Sequence, residues 1–245
     1  MISQNNTHRH VLIVGASSAI AKALIASLLD DETVSHIYGV SSQQQSIEHY
    51  RYTGIKTDYC EQHIKEIIAD LKEVPGFFSD VFICNGVLHS DAFIPEKKLE
   101  DINHNQLNQL LTTNTIIPML WVQHLITLCK SEQTCHIVVL SARVGSISDN
   151  RLGGWYSYRM SKAALNMGLK TAAIEYARRA KNIKLVAFHP GTTDTPLSKP
   201  FQNNLAEGQL FTPSFVARSL LTILSNTRPD GTLSYIDWAG KPIHW

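Results

Sequence analysis

Gly15-Ala16-Ser17-Ser18-Ala19-Ile20-Ala21 follows directly on the apolar run Val11-Leu12-Ile13-Val14. A buried strand that runs into a glycine turn and then a helix opens a dinucleotide-binding α/β unit. In such turns the first glycine permits the tight turn, the second lets backbone approach the pyrophosphate, and the third lets helix and strand pack closely. Gly15 keeps the first place, while Ala19 and Ala21 hold the other two. Each adds one methyl where helical dihedrals cost alanine nothing, and the N–H groups and dipole of the helix start still face a phosphate. Ser17 and Ser18 can add hydroxyl donors. The turn is expected to hold a dinucleotide.

Outward from this turn, apolar runs alternate with helical periodicity. Residues 11–14, 37–40, 55–58, 81–84, 137–140, 185–188 and 235–237 read as strands. Residues 20–29, 64–71, 107–128, 156–177 and 215–224 read as helices, the third with a bend near Pro118. Strands that are continuously apolar rather than alternating imply a parallel sheet covered on both faces. No linker, charge run or repeat divides the 245 residues, so the expected fold is one doubly wound α/β domain of Rossmann type over residues 1–245.

Composition narrows the function. A net charge of +1, with no basic run among aromatics, argues against nucleic acid and against an anionic membrane. The first ten residues are polar and lack a secretory core, and residues 116–122 are too short to span a bilayer. Cys60, Cys84, Cys129 and Cys135 form no CxxC pair and read as reduced thiols, which with the polar start suggests the cytoplasm. His8 and His10 lie in the polar start, where frayed chain is the plainer reading, and no other His pair has metal-ligand spacing, so no metal is expected. A small-molecule substrate is the expected partner.

The chemistry concentrates in Tyr156-Ser157-Tyr158-Arg159-Met160-Ser161-Lys162. Tyr158 and Lys162, four apart at a helix start, share a face. A fixed ammonium nearby favours phenolate, and is expected to bring the phenol toward neutrality as a usable acid and base. YxxxK alone is a weak pattern, but here it follows a strand, a serine and a glycine-containing loop in a parallel α/β chain.

With these motifs in place, nearly the whole chain resembles the short-chain dehydrogenase/reductase family, in particular its C-factor-like and sniffer-like carbonyl reductase branch. Ser141 to Asn150, Gly153 to Asn166 and the ending Gly231 to Trp245 carry the branch resemblance. The resemblance implies hydride transfer between a nicotinamide and a carbonyl or alcohol. Tyr158 would give the proton, Lys162 would tune it and hold the nicotinamide ribose, and Asn114 would anchor a water behind Lys162. It further implies a cofactor surface of Gly15, Ser17, Ser18, Ile20, Asp58, Tyr59, Asn85 and Gly86. Asp58 meets the adenine amino group, and Pro190, Gly191, Thr193 and Thr195 meet the carboxamide end. The helices at 107–128 and 156–177 are those through which family members pair, implying a homodimer or homotetramer.

Departures from the family pattern add expectations of their own. The second strand ends in Ser41 and Ser42 with no acid to repel a 2′-phosphate, which favours NADP(H) over NAD(H). Where the family has its carbonyl-polarising serine, this chain has Ala142. Ser141, one residue early, is the expected stand-in if the strand bulges, and Ser146 the second choice. Residues 197–211 fall where family members build a lid. The leading reading is an oxidoreductase. The alternative is a dinucleotide-binding signalling or regulatory protein with weakened catalysis, and a module that has lost the cofactor stands third.

Overall fold

Among the described residues the strands follow one another as β1 (Arg9–Val14), β2 (Val34–Ser41), β3 (Tyr52–Lys56), β4 (Phe77–Ile83), β5 (Cys135–Leu140), β6 (Ile183–His189), β7 (Thr192–Thr193), β8 (Leu210–Phe211) and β9 (Ser234–Asp237). They belong to a computed structural model that describes residues 8–44, 47–203 and 205–245. Most of the polar start and Gln45 of the loop after β2 lie outside the described residues. Seven strands form one parallel sheet in the order β3-β2-β1-β4-β5-β6-β9, and β7 pairs with β8 separately.

The sheet is buried on both faces, and the pleat explains the unbroken apolar runs. Leu12 and Val14 pack in one apolar layer with Val81 and Ile83, while Val11 and Ile13 pack in the other with Phe82. α2 (Glu61–Lys72), α4 (Ile117–Cys129) and α5 (Tyr156–Arg179) cover the first layer through Ile64, Trp121 and Leu165. α1 (Ala19–Leu29) and α6 (Pro213–Ser225) cover the second through Leu24 and Leu220. Each fully buried side chain of this size contributes about 1.5–3 kcal/mol. A charge at Leu12 or Ile13 would therefore break a layer whichever way it faced.

The expected single helix over 107–128 is divided. α3 (His104–Leu111) starts at Asn103, whose Oδ1 accepts from Gln106 N at 2.9 Å. A π turn at Thr112–Ile116 then precedes α4, and Ile117 N donates to Thr112 O, five residues back. Pro118 has no N–H for the carbonyl of Asn114, four residues back, so the regular ladder cannot run through this point. The break lies before the proline and not at it.

Strand order reverses between β1 and β4, which leaves a crevice at the carboxyl ends of these two strands where doubly wound sheets bind ligands.

Candidate active site

The β1–α1 turn needs a glycine only once. Gly15 has φ +77°, and a Cβ there would lie 2.9 Å from Asn85 N and Cys84 C, across the crevice on the β4 side. Ala21 is fully buried within the α1–α6 layer, so the lost third glycine has been absorbed into core packing. Ser18 caps α1 by accepting from Ala21 N at 3.3 Å. That bond leaves the first N–H groups of the helix, at Ala19 and Ile20, at the open end.

At the end of β2, Ser41 and Ser42 part ways. Ser41 is buried and its Oγ accepts from Gln43 N at 3.1 Å, whereas Ser42 is exposed. Asp58 is also exposed, accepting from Cys60 N at 2.8 Å. Tyr59 has φ 62° and directs its phenol to Val40 O at 3.4 Å. Burial raises its pKa, and Asn85, Gly15 and Ser42 surround the hydroxyl. Tyr59 thus ties the ends of three strands together.

Beyond β4 the residues read as catalytic converge. A Cβ on Gly86 would lie 3.8 Å from Asn114 Oδ1 and 3.9 Å from Lys162 Nζ. Asn114 is fully buried at the π turn. Its carboxamide accepts from Val87 N at 2.8 Å and donates to Val87 O at 2.9 Å and Ser161 Oγ at 3.0 Å. These bonds clamp the β4 loop to α5 and use both amide hydrogens, leaving one acceptor site on Oδ1.

Lys162 Nζ donates to Leu140 O at 2.8 Å and lies 5.9 Å from the centre of the Tyr158 ring. Burial dominates both groups. The Lys162 ammonium is pushed down to about 8, and the Tyr158 phenol is raised above its ordinary value by burial and then by Tyr235. The expectation of a phenol brought toward neutrality by Lys162 is therefore corrected: desolvation of both groups outweighs an ammonium held at this distance.

The Ser141 expectation also meets a different geometry. Ala142 has extended dihedrals (φ −153°, ψ 142°), so no bulge rotates the chain, and neighbours face opposite ways. Ser141 Oγ donates to Asn166 Oδ1 at 2.6 Å, while Ala142 shares an apolar cluster with Tyr158, Leu88 and Leu110. Ser146 Oγ accepts from Asp149 N at 3.1 Å. The structure brings neither serine to Tyr158. Gly145 presses the same loop onto α5, since a Cβ there would lie 2.8 Å from Lys162 C.

At the other side of the crevice, Gly191 (φ +71°) has Phe211 and Trp238 within 2.9 Å of any added Cβ. Thr193 Oγ1 donates to the Pro190 carbonyl at 3.3 Å. Thr195 is half-buried, and its N–H donates to Ser198 Oγ at 3.4 Å.

Sequence reasoning missed two supports of Tyr158. Glu96 is buried in the loop after β4, and its carboxylate accepts from the backbone N–H and hydroxyl of Ser157, at the start of α5. Trp155, left-handed at φ 53°, sets its ring 6.2 Å from that of Tyr158 and 5.0 Å from Phe201. His89 in turn lies 5.7 Å from Phe201. Irregular loops carry no periodic signal for such contacts.

This convergence has parallels. The family model for short chain dehydrogenases matches residues 9–206. The chain belongs to that family. A benzil reductase ((S)-benzoin forming) of Bacillus cereus is 24% identical over 257 residues, covering 94% of this chain and 99% of the relative. The carbonyl reductase Sniffer of D. melanogaster superposes with a TM-score of 0.82 at 19% identity, covering 97% of this chain and 100% of Sniffer. An NADPH-bound carbonyl reductase from chicken fatty liver also reaches 0.82, at 23% identity over 97% of this chain and 99% of that one. The short chain dehydrogenase is thus an oxidoreductase with the doubly wound fold expected of it, and the signalling alternative is not favoured. Among the described residues no helix is long and apolar enough to cross a membrane.

Proposed function

We propose that this short chain dehydrogenase reduces apolar, aromatic-bearing ketones or aldehydes with NADPH. The observation that carries the reading is the meeting of Asn114, Lys162 and Gly86 beside Asn85, whose buried Oδ1 has no partner among the described residues. A ribose hydroxyl would satisfy that oxygen, and the bare backbone of Gly86 leaves room for the cofactor. Ser17, Ser18 and the N–H groups of Ala19 and Ile20 would hold its phosphates. Asp58 and Tyr59 would meet the adenosine, and Pro190, Gly191, Thr193 and Thr195 the carboxamide. When bound, NADPH supplies a hydride to the carbonyl carbon. Ser42, exposed and with no acidic residue next to it in the sequence, would tolerate the 2′-phosphate.

Tyr158 does the proton work. Burial keeps its phenol protonated, so the O–H is available to the carbonyl oxygen as negative charge grows there. Lys162 supplies positive charge behind it while its ammonium persists. Ala142 offers no second donor, which leaves Tyr158 as the polarising group. Trp155, Phe201, Leu88 and Phe93 line an apolar wall beside the phenol, and such a wall favours a flat aromatic group. The similarity to benzil reductase agrees with this.

Residues 1–245 act as one domain in this reading, in the cytoplasm, where the four free thiols stay reduced. Met160, Met167 and Ile174 recur every seven residues along an exposed stripe of α5, near exposed Ile116. A homodimer through this stripe and α4 would cover them.

The test is turnover with a panel of aryl ketones, diketones, aldehydes and aliphatic ketones, using NADPH and NADH separately. The reading expects the aryl carbonyls with NADPH to give the highest kcat/KM. A preference for NADH, or for small polar carbonyls, would overturn it.

A further inference from the structure

Asp58, Cys60 and His63 bring a carboxylate oxygen, a thiol sulfur and an imidazole nitrogen within 4.8 Å of one another. Asp58 lies in the loop after β3, Cys60 is the N-cap of α2, and His63 is the third residue of that helix. The Asp-x-Cys-x-x-His spacing resembles no helical or strand pair of ligands, which is why the sequence shows no metal motif here. The loop before α2 brings Asp58 Oδ1 back to 2.8 Å from His63 Nδ1. His63 N in turn donates to Cys60 Sγ at 3.5 Å. All three side chains are exposed, so a hydrated cation reaches them without opening the fold.

Sulfur, imidazole and carboxylate together form the donor set of zinc-class cations, which take about four ligands at roughly 2.0–2.3 Å. A tetrahedron of those bond lengths places neighbouring donors about 3.3–3.7 Å apart, within the present spread. Thiolate and carboxylate carry two negative charges against the two positive charges of the ion. The thiol proton leaves to solvent on binding, and water fills the fourth position. Magnesium and calcium, which prefer six or more oxygen ligands, do not suit the set.

We propose that Asp58, Cys60 and His63 form a binding site for a zinc-class cation, and that its occupation weakens binding of the dinucleotide. The second half rests on the proposed function, because Asp58 is the residue assigned there to the adenine amino group. A metal draws charge off the Asp58 carboxylate and fixes its direction, so the oxygen left free accepts more weakly from adenine. A metal bridging the loop to α2 also fixes Tyr59, whose phenol sits beside Gly15, Ser42 and Asn85. Metal and cofactor thus compete for one end of the crevice, far from Tyr158 in the chain. The site is a brake on loading and takes no part in the reaction.

The full chain, freed of metal by a chelator, is titrated with Co²⁺, then with Zn²⁺ in competition. The site predicts a thiolate-to-cobalt charge-transfer band that Zn²⁺ abolishes. Cys60→Ser should remove the band. His63→Gln should weaken binding by at least about the tenfold that loss of even an outer-shell partner costs. No band in the parent, or a band that survives Cys60→Ser, would overturn the site. In parallel, NADPH affinity is read by nicotinamide fluorescence with and without Zn²⁺. It should fall by about fivefold or more in the parent and not in Cys60→Ser. Zinc bound at Cys60 with NADPH affinity unchanged would overturn the competition. Failure of the metal-free protein to bind NADPH would overturn the competition and the proposed function together, while the cobalt band alone decides the site.

Discussion

Toward the amino ends of the strands, the buried Asp80 carboxylate accepts from Arg9 at 3.0 Å, from Ser79 at 2.6 Å and from His136 at 2.9 Å. At the carboxyl ends, Asn85 Oδ1 and His189 Nδ1 are buried with no partner among the described residues. Lys184, fully buried near the start of β6, has Asp230 and Thr232 as acceptors. Lys162, as deeply buried on α5, has one carbonyl and an ammonium pushed down to about 8. His10 Nδ1 and Arg51 Nε are exceptions on the amino side. Both regions bury charge, yet only one satisfies it. Paired polar groups hold the fold in one arrangement, whereas groups left short of partners are kept for a ligand.

The largest effect tests the unsatisfied side. Tyr158→Phe should reduce turnover by about 10²–10⁴-fold, the range of a general acid, and leave NADPH binding within a factor of about two. Stopped-flow turnover and fluorescence titration measure the two. Retention of more than about a tenth of the activity would take the proton away from Tyr158.

Asp80→Asn tests the satisfied side and should invert the outcome. Removing one partner from a buried ion network costs about 3–5 kcal/mol, because Arg9 loses its buried partner. Urea unfolding should show that loss, while kcat per folded molecule stays unchanged. A fall in kcat as large as the fall in stability would erase the distinction between the two edges.

The pH dependence of stability sharpens the comparison. Burial, followed by Arg143, pushes His189 down to about 4. Between the ordinary histidine value and about 4, the unfolded chain holds a proton that the folded chain does not. Stability is then present above the ordinary value and lost as pH falls through this window, by about 3 kcal/mol. Thermal melts from pH 7 to 4 should slope less steeply in His189→Asn. Equal slopes would mean that His189 is not held neutral.

Ala142→Ser is expected to give the smallest effect. A hydroxyl on the Tyr158 side of the loop adds a second donor to the carbonyl and should raise the reduction rate by roughly tenfold, less than a preformed oxyanion donor contributes. Ser141→Ala should leave the rate unchanged and cost stability through Asn166, whose Oδ1 would lose its donor. A slower reaction in Ser141→Ala would restore Ser141 to the site.

The amino-acid sequence by itself determined the strand and helix order, the β1–α1 turn, and the Tyr158–Lys162 spacing. Each depends on covalent neighbours within a few residues: apolar runs choose sheet or helix, and four residues along a helix share a face. It also located the helix break to within a turn, through Pro118. Only the tertiary structure decided the rest. Which way Ser141 faces depends on Asn166, 25 residues on. The start of α5 depends on Glu96, 61 residues before Ser157. Whether Lys162 or burial governs the Tyr158 phenol depends on how fully the packed loops exclude water. Side-chain direction and desolvation are set by contacts between distant segments, and no local pattern encodes them.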